Sequence, residues 1–231
     1  MNKPDYEKLT REKNKIPDKF DPLRLRVYRA ISWAKHAQQI IGDVDARFIF
    51  FWIGFNALYS RDLKAVAVGQ NNTTTLREIK KYLGDLMPLN RDLIHSIFWK
   101  GAVFNAGLSL MEDEYLYKPF WDSQSTRSEN SEWRTDWDNE RTEFIEAVIL
   151  NEMQKRKIPE ILTKTIFSRL CVLRNQVMHG SATRRSRYNR KALGHGVKVL
   201  EKTLPIFIEL MIKKPSKKWG TPYYPPDGKQ P

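Results

Sequence analysis

Cysteine is almost missing from the sequence, and so are long hydrophobic runs. The single cysteine, Cys171, excludes an internal disulfide and a zinc site built from several cysteines, and its apolar neighbours favour a buried structural role. The longest apolar run, residues 48–55, is too short to cross a bilayer, and no charged-then-apolar signal segment opens the chain. We therefore expect a cytoplasmic protein that does not contact a membrane.

The common sequence motifs of enzymes are also missing, since there is no serine nucleophile elbow and no His-Glu-x-x-His metal site. Glu78 and Lys80 have the spacing of one nuclease core, but they lie in a predicted helix cap rather than on strands. Asp43 and Asp45 resemble a metal-binding carboxylate pair, but they lie at a helix start, where aspartate commonly caps free N–H groups. The glycines beside His195 lack the spacing of a phosphate-binding loop. The sequence therefore predicts neither a metal nor a cofactor.

Acidic residues are scarce near the C-terminus. Residues 174–231 contain 13 lysines and arginines but only three acidic residues, so they carry +10 of the net charge of +13. A positive segment of this size favours a polyanionic partner such as nucleic acid. Residues 110–143 have the opposite character, with a net charge of −6 and six aromatic side chains. We expect this acidic, aromatic segment to pack on the helical bundle or to shield the basic C-terminal face.

Strand-like alternation is absent and helical periodicity dominates, so we predict an all-α fold. A first helix begins at Asp21-Pro22, because aspartate caps a helix and proline fits its first turn. Its apolar face consists of Val27, Ala30, Ala34, Ala37 and Ile41. The dominant face of a second helix consists of Phe48, Phe51, Trp52, Phe55 and Leu58. We predict that the two helices form a tight hairpin over residues 21–60.

A second hairpin is predicted over residues 159–213, which gives an antiparallel bundle of two hairpins in a single domain, 1–231. The core stripe of its first helix is Ile166, Leu170, Leu173 and Val177. Its last helix, residues 189–213, has an apolar face of Leu193, Val197, Leu200, Leu204 and Phe207, with a kink predicted at Pro205. The residues from 214 to 231 are expected to be a mobile tail.

Residues 61–158 form an insertion between the hairpins, part helical and part irregular. We predict a loop over 61–74, then a short helix opened by a capping box of Thr75 and Glu78. The pattern further predicts, in chain order, a helix over 90–108, an irregular stretch over 110–138 and a helix over 139–156.

A polar motif, Arg174-Asn175-x-x-x-His179, ends the first helix of the second hairpin, and Gly180 follows it as a C-terminal cap. The three side chains lie off the core stripe, on a neighbouring face that includes Cys171. Histidine gains and loses a proton near neutral pH and serves as a general acid or base, while arginine stabilises charge that develops on a phosphoryl group. Asn175, one turn before the histidine, is placed to orient the imidazole or to bind a phosphate oxygen.

The spacing alone is weak evidence for a site. Eighteen arginines and four histidines in 231 residues give about 0.3 chance matches, and Arg190 and His195 repeat the spacing in the first turns of the last helix. A polar helix rim with a C-terminal cap is the alternative interpretation of the motif. Beyond it lie basic residues that would follow a phosphate backbone, or would simply be solvated at a helix start: Arg184, Arg185, Arg187, Arg190 and Lys191.

The motif and the two hairpins resemble the HEPN superfamily, in which an arginine and a histidine with four to six residues between them form a metal-independent endoribonuclease site at a homodimer interface. The resemblance covers residues 21–60 and 159–213. The segment FFWIGFNALYS, residues 50–60, is similar to the second helix of Apea-like members, with Asn56 where an acidic residue is expected. Ser181 stands where some members carry a tyrosine that a nucleotidyltransferase modifies, so that regulation is not expected here.

The resemblance implies a homodimer that cleaves RNA without a cofactor, using Arg174, Asn175 and His179, in a toxin–antitoxin, antiviral-defence or RNA-processing role. It also implies an antitoxin or nucleotidyltransferase as candidate partner proteins. Two other interpretations remain open at this point. In the first, the chain is a non-catalytic helical module with a vestigial motif, and it binds RNA or a partner protein. In the second, it is a scaffold whose aromatic insertion is its interface.

Overall fold

A computed structural model describes residues 4–60, 72–126, 132–149, 158–180 and 183–222, which form helices joined by short turns and contain no strand. The all-α prediction is therefore confirmed. The helices are α1 (Tyr6–Lys13), α2 (Asp21–Gln39), α3 (Val44–Tyr59), α4 (Asn72–Leu86), α5 (Arg91–Trp99), α6 (Gly101–Met111), α7 (Lys118–Ser125), α8 (Glu132–Ile149), α9 (Ile158–Leu162), α10 (Ser168–Met178) and α11 (Arg190–Lys213). A π-helical turn, Thr163–Phe167, joins α9 to α10. Within these ranges, no helix has the length and apolar character needed to cross a membrane.

The chain divides into two compact units. One consists of Met1–Asn90 with Leu200–Pro231, and the other of Arg91–Val199. The division does not follow the predicted boundary between core and insertion. Residues 91–149, assigned to the insertion, belong to the same unit as α9 and α10.

In the first unit, α2 and α3 pack against each other as the predicted hairpin. The Asp43 carboxylate caps α3 by accepting a hydrogen bond from the Ala46 amide at 3.0 Å. Gly54 allows close packing, since a Cβ there would lie 3.1 Å from Leu204 Cδ2 and 3.2 Å from the Ala30 carbonyl. The predicted core positions of both helices are buried except Ile41, which is 95% exposed because α2 ends at Gln39.

Arg26 is a buried charge on the core side of α2 that periodicity did not reveal. Its guanidinium Nη1 donates to the carbonyls of Ala57, Leu58 and Ser60 at 2.9, 3.2 and 2.8 Å, and so satisfies the C-terminal end of α3. Its Nη2 donates to the Thr221 carbonyl at 3.1 Å.

The prediction of a mobile tail over residues 214–231 is wrong for residues 214–222. Trp219 is buried, its ring lies 6.0 Å from that of Tyr82, and its indole N–H donates to the Lys214 carbonyl at 3.2 Å. The prediction failed because a short proline-containing segment has no period, although one aromatic side chain can still hold it against a core. Residues 223–231 lie outside the described ranges.

Helix boundaries in the insertion also differ from the predictions. Helix α4 begins at Asn72, so Thr75 lies inside the helix and the predicted capping box is wrong. The single helix predicted over 90–108 is two helices, α5 and α6, separated at Lys100. The irregular stretch predicted over 110–138 is wrong for its described residues, 110–126 and 132–138, which contain the end of α6, a 3-10 turn (Glu114–Leu116), α7 and the start of α8. Residues 61–71 and 150–157, where a loop and a helix end were predicted, lie outside the described ranges.

In the second unit, the core stripe of the π-helical turn and α10 is confirmed for Ile166, Leu170 and Leu173, which are fully buried, while Val177 is half-buried. Helix α11 has the predicted extent and its five predicted core residues are buried, with Pro205 inside the helix. The pairing of these helices as a second hairpin stays a prediction.

Candidate functional site

The Arg-His motif occupies the C-terminal end of α10. Arg174 and Asn175 are half-buried, and His179 is an exposed residue that ends the helix. The His179 amide donates to the Asn175 carbonyl at 2.9 Å, and the Gly180 amide donates to the Val177 carbonyl at 3.3 Å. Gly180 has φ +70°, the left-handed conformation that favours glycine after a helix. The predicted cap is confirmed, and it leaves the imidazole accessible.

Arg174 lies one turn after Cys171, on the same side of α10. The thiol is buried, and burial raises its pKa to about 12, although the nearby Arg174 charge opposes the shift. A thiol held neutral in this way is structural, as predicted from the sequence. Arg174 and His179 are five positions apart, which places them about 140° apart around the helix axis. The two side chains therefore leave the end of α10 in different directions.

The basic residues predicted to bind RNA lie in and directly after the connection between α10 and α11. Arg184, Arg185 and Arg187 are exposed, and Arg187 places its guanidinium 5.5 Å from the ring centre of Tyr188. Arg190 is half-buried at the start of α11, and Lys191 is exposed. We call residues 183–191 the basic segment. Ser181 lies outside the described residues.

A chain of hydrogen bonds connects the end of α10 to the aromatic insertion and to the basic segment. The Gln176 side-chain amide donates to the Tyr115 carbonyl at 2.8 Å, and the Trp121 indole N–H donates to the same carbonyl at 2.8 Å. Asn189 Nδ2 donates to Gln176 Oε1 at 3.1 Å. The expectation that residues 110–143 pack on the bundle is thus confirmed for their contact with α10. Nothing in the sequence singled out Gln176, because its role depends on a contact 61 residues away.

A buried ion pair fixes α8 against α10. Arg169 Nη2 lies 2.9 Å from Glu140 Oε2, and the guanidinium lies 4.3 Å from the ring centre of Tyr117. Burial raises the pKa of Glu140 and lowers that of Arg169, and in each case the partner's charge opposes the shift only in part. Burial, together with Glu140, raises the pKa of Tyr117 to about 12. The signal in the sequence for this pair is a charged residue, Arg169, within the apolar run of α10, and the periodicity of that run did not reveal it.

The second arginine–histidine pair has a different setting. His195 is half-buried in the second turn of α11, and burial lowers its pKa, with Lys198 and Lys191 adding to the shift. It lies inside a helix, whereas His179 lies at a helix end. Because its spacing matches, this pair provides a control for the candidate site.

Among the residues that the structure describes, no cluster of three or more histidine, cysteine, aspartate or glutamate side chains could hold a metal ion. The candidate site therefore consists of an exposed histidine, a half-buried arginine and asparagine, and a basic segment beside an aromatic insertion. Comparisons with protein-family models, with curated proteins and with solved structures each gave no match.

Proposed function

We propose that this chain is a metal-independent endoribonuclease of the HEPN type. The observation that carries the proposal is the exposed imidazole of His179 at a capped helix end, one turn after Asn175 and immediately before the basic segment. An accessible group for proton transfer beside cationic side chains suits cleavage of a phosphodiester. The imidazole and the phosphate-binding groups belong to consecutive parts of the chain, so one RNA strand would reach both.

In the proposed reaction His179 takes the proton of a ribose 2′-hydroxyl, directly or through water. The 2′-oxygen forms a bond to the adjacent phosphorus, the bond to the 5′-oxygen breaks, and that oxygen leaves as a hydroxyl after taking up a proton. Arg174 stabilises the phosphorane, and Asn175 orients the imidazole or binds a phosphate oxygen. The products are a 2′,3′-cyclic phosphate and a 5′-hydroxyl.

The divergent directions of Arg174 and His179 favour a homodimer. A twofold axis near the end of α10 would supply a second copy of each side chain, so that the arginine of one protomer complements the histidine of the other. We expect multi-angle light scattering to give the mass of a dimer at tens of micromolar, and a crosslink between cysteines introduced at Met178, which is exposed, to join two chains. A monomeric mass at that concentration would contradict the composite site.

Cleavage of a labelled RNA in the presence of EDTA tests the proposed chemistry. We expect cleavage to persist in EDTA, because the proposed groups are side chains and no divalent ion takes part. A single 2′-deoxy substitution at the cleaved nucleotide should abolish cleavage there, since it removes the nucleophile. The matched control is the same substitution at the next nucleotide on the 3′ side, which should leave cleavage unchanged. Cleavage that requires a divalent ion would contradict the mechanism.

A non-catalytic RNA-binding module is the second candidate, and the exposed aromatic and basic side chains beside α10 favour it. RNA retained in a salt-sensitive manner, without cleavage, would support this alternative. In either case we propose a cytoplasmic role in toxin–antitoxin systems, antiviral defence or RNA processing, with an antitoxin or a nucleotidyltransferase as candidate partner proteins.

A further inference from the structure

Exposed aromatic rings lie close to the end of α10. Tyr115 is 52% exposed and Trp121 is 45% exposed, and the two rings pack with Phe120 in a small cluster. We call these three residues the aromatic platform. Tyr188, in the basic segment, is 81% exposed. A single exposed aromatic residue is ordinary, but a contiguous group of exposed rings is typical of an interaction site.

The platform is held rigidly with its rings half open. The centre of the Phe120 ring lies 5.3 Å from that of Tyr115 and 5.1 Å from that of Trp121, and each contact is edge to face. The Tyr115 carbonyl accepts hydrogen bonds from the Trp121 indole and from the Gln176 side chain, which connects the platform to α10. Gln176 lies one turn before His179. A ring that is fixed on one side and open on the other can accept a flat ligand without losing further side-chain entropy.

The platform lies in an acidic segment, with Asp113 and Glu114 directly before Tyr115, so the cations that an anionic ligand needs come from the basic segment. Asp122 is paired with Lys118 at 2.5 Å and Glu112 with Arg141 at 3.5 Å, while the Asp113 carboxylate accepts a hydrogen bond from the Tyr115 amide at 3.1 Å. These acids are therefore partly offset locally. On the other side of Gln176, Asn189 connects the platform to the basic segment through one further hydrogen bond. The basic segment contains five cationic side chains and no acidic one.

We propose that the aromatic platform stacks unpaired bases of single-stranded RNA while the basic segment holds the phosphates of the same strand. Bases that are not paired expose a flat face to Tyr115 and Trp121, and stacking of this kind strengthens the binding of single strands. A duplex keeps its bases stacked inside, so it can use the cations but not the rings. The inference rests on the proposed function in naming RNA as the ligand, and it assigns single strands as the substrate class.

The test measures binding separately from cleavage. Fluorescence anisotropy in EDTA would follow the binding of a 12-nucleotide oligouridine, a 12-nucleotide oligothymidine and a blunt 12-base-pair RNA duplex. The oligothymidine has no 2′-hydroxyl, so it cannot be cleaved by the proposed reaction, yet it can stack. The variants are Trp121→Ala, Trp121→Phe and Tyr115→Ala. The control is Trp33→Ala, which removes a 38% exposed tryptophan stacked on Phe50 in the other unit.

We expect Trp121→Ala and Tyr115→Ala each to weaken binding of both single strands about tenfold and to change duplex binding less than twofold. Trp121→Phe loses the indole N–H but keeps an aromatic ring, so it should retain most of the affinity. The control Trp33→Ala should bind like the parent. Thermal unfolding of Trp121→Ala and Tyr115→Ala at the temperature of the parent would exclude a folding defect.

Equal binding of single strands by the parent and both alanine variants would overturn the inference and leave the platform as a protein interface. A parallel loss for single strands and duplex would also overturn it. The proposed endoribonuclease can fail independently, because an enzyme that stacks oligothymidine but never cleaves RNA would refute the reaction and retain the platform. RNA cleavage that is unchanged in Trp121→Ala and Tyr115→Ala would refute the platform and retain the reaction.

Discussion

Replacing His179 or Arg174 with alanine is expected to lower the rate of RNA cleavage by about 100-fold or more. His179→Ala removes the group that takes the 2′-hydroxyl proton, and Arg174→Ala removes the charge that stabilises the phosphorane. The fold should survive, because His179 is exposed and Arg174 lies off the buried stripe of α10. Single-turnover rates under saturating enzyme would measure the chemical step, and circular dichroism would check the helix content.

Arg190→Ala and His195→Ala provide the matched control, since this pair has the same spacing on α11. We expect these variants to weaken RNA binding modestly and in a salt-dependent way, with the single-turnover rate nearly unchanged. If His179→Ala cleaves at the parent rate, the proposed mechanism is wrong. If His195→Ala loses activity instead, the catalytic pair was assigned to the wrong helix.

Glu140→Ala is expected to lower the free energy of unfolding by about 3–5 kcal/mol, because it leaves the Arg169 guanidinium buried without its carboxylate. Urea denaturation with a constant m-value would measure the loss. The double variant Glu140→Met, Arg169→Met should regain most of the stability, since both charges are then absent and the volume is filled. The directions of the two pKa shifts agree with this expectation, because burial opposes the charged form of each partner.

The control for this pair is Glu143→Ala on the same helix. Glu143 lies 3.4 Å from Lys164, and both side chains are nearly half exposed. An exposed ion pair contributes little, so the variant should lose less than about 1 kcal/mol. A Glu140→Ala variant no less stable than Glu143→Ala would show that water or another acceptor satisfies Arg169.

The sequence was sufficient to predict the long helices because their apolar residues repeat at a helical period. Val27, Ala30 and Ala34 on α2, and Phe48 and Phe55 on α3, are buried where that period places them. Ile41 was misassigned because periodicity does not mark where a helix ends. Short helices such as α7 span about two turns, so their patterns cannot be told from those of an irregular polar segment.

Some features of the candidate site could likewise be predicted from the sequence, and others could not. The exposed position of His179 and the left-handed Gly180 follow from local sequence, since a histidine followed by glycine at a helix end is a local signal. The contacts of Gln176 with Tyr115 and of Arg169 with Glu140 join residues 61 and 29 positions apart. A single sequence carries no local signal for such pairings.

The division into two units has a consequence for synthesis of the chain. The unit containing Arg91–Val199 is continuous in sequence, so its core can form as soon as the ribosome has released α10 and the start of α11. In the other unit, α2 and α3 lack Leu204, Trp219 and the Thr221 carbonyl, the acceptor of Arg26, until residues 204–221 emerge. Helices α2 and α3 are therefore translated before Arg91–Val199 but complete their core after it, and their apolar surface stays exposed during that interval.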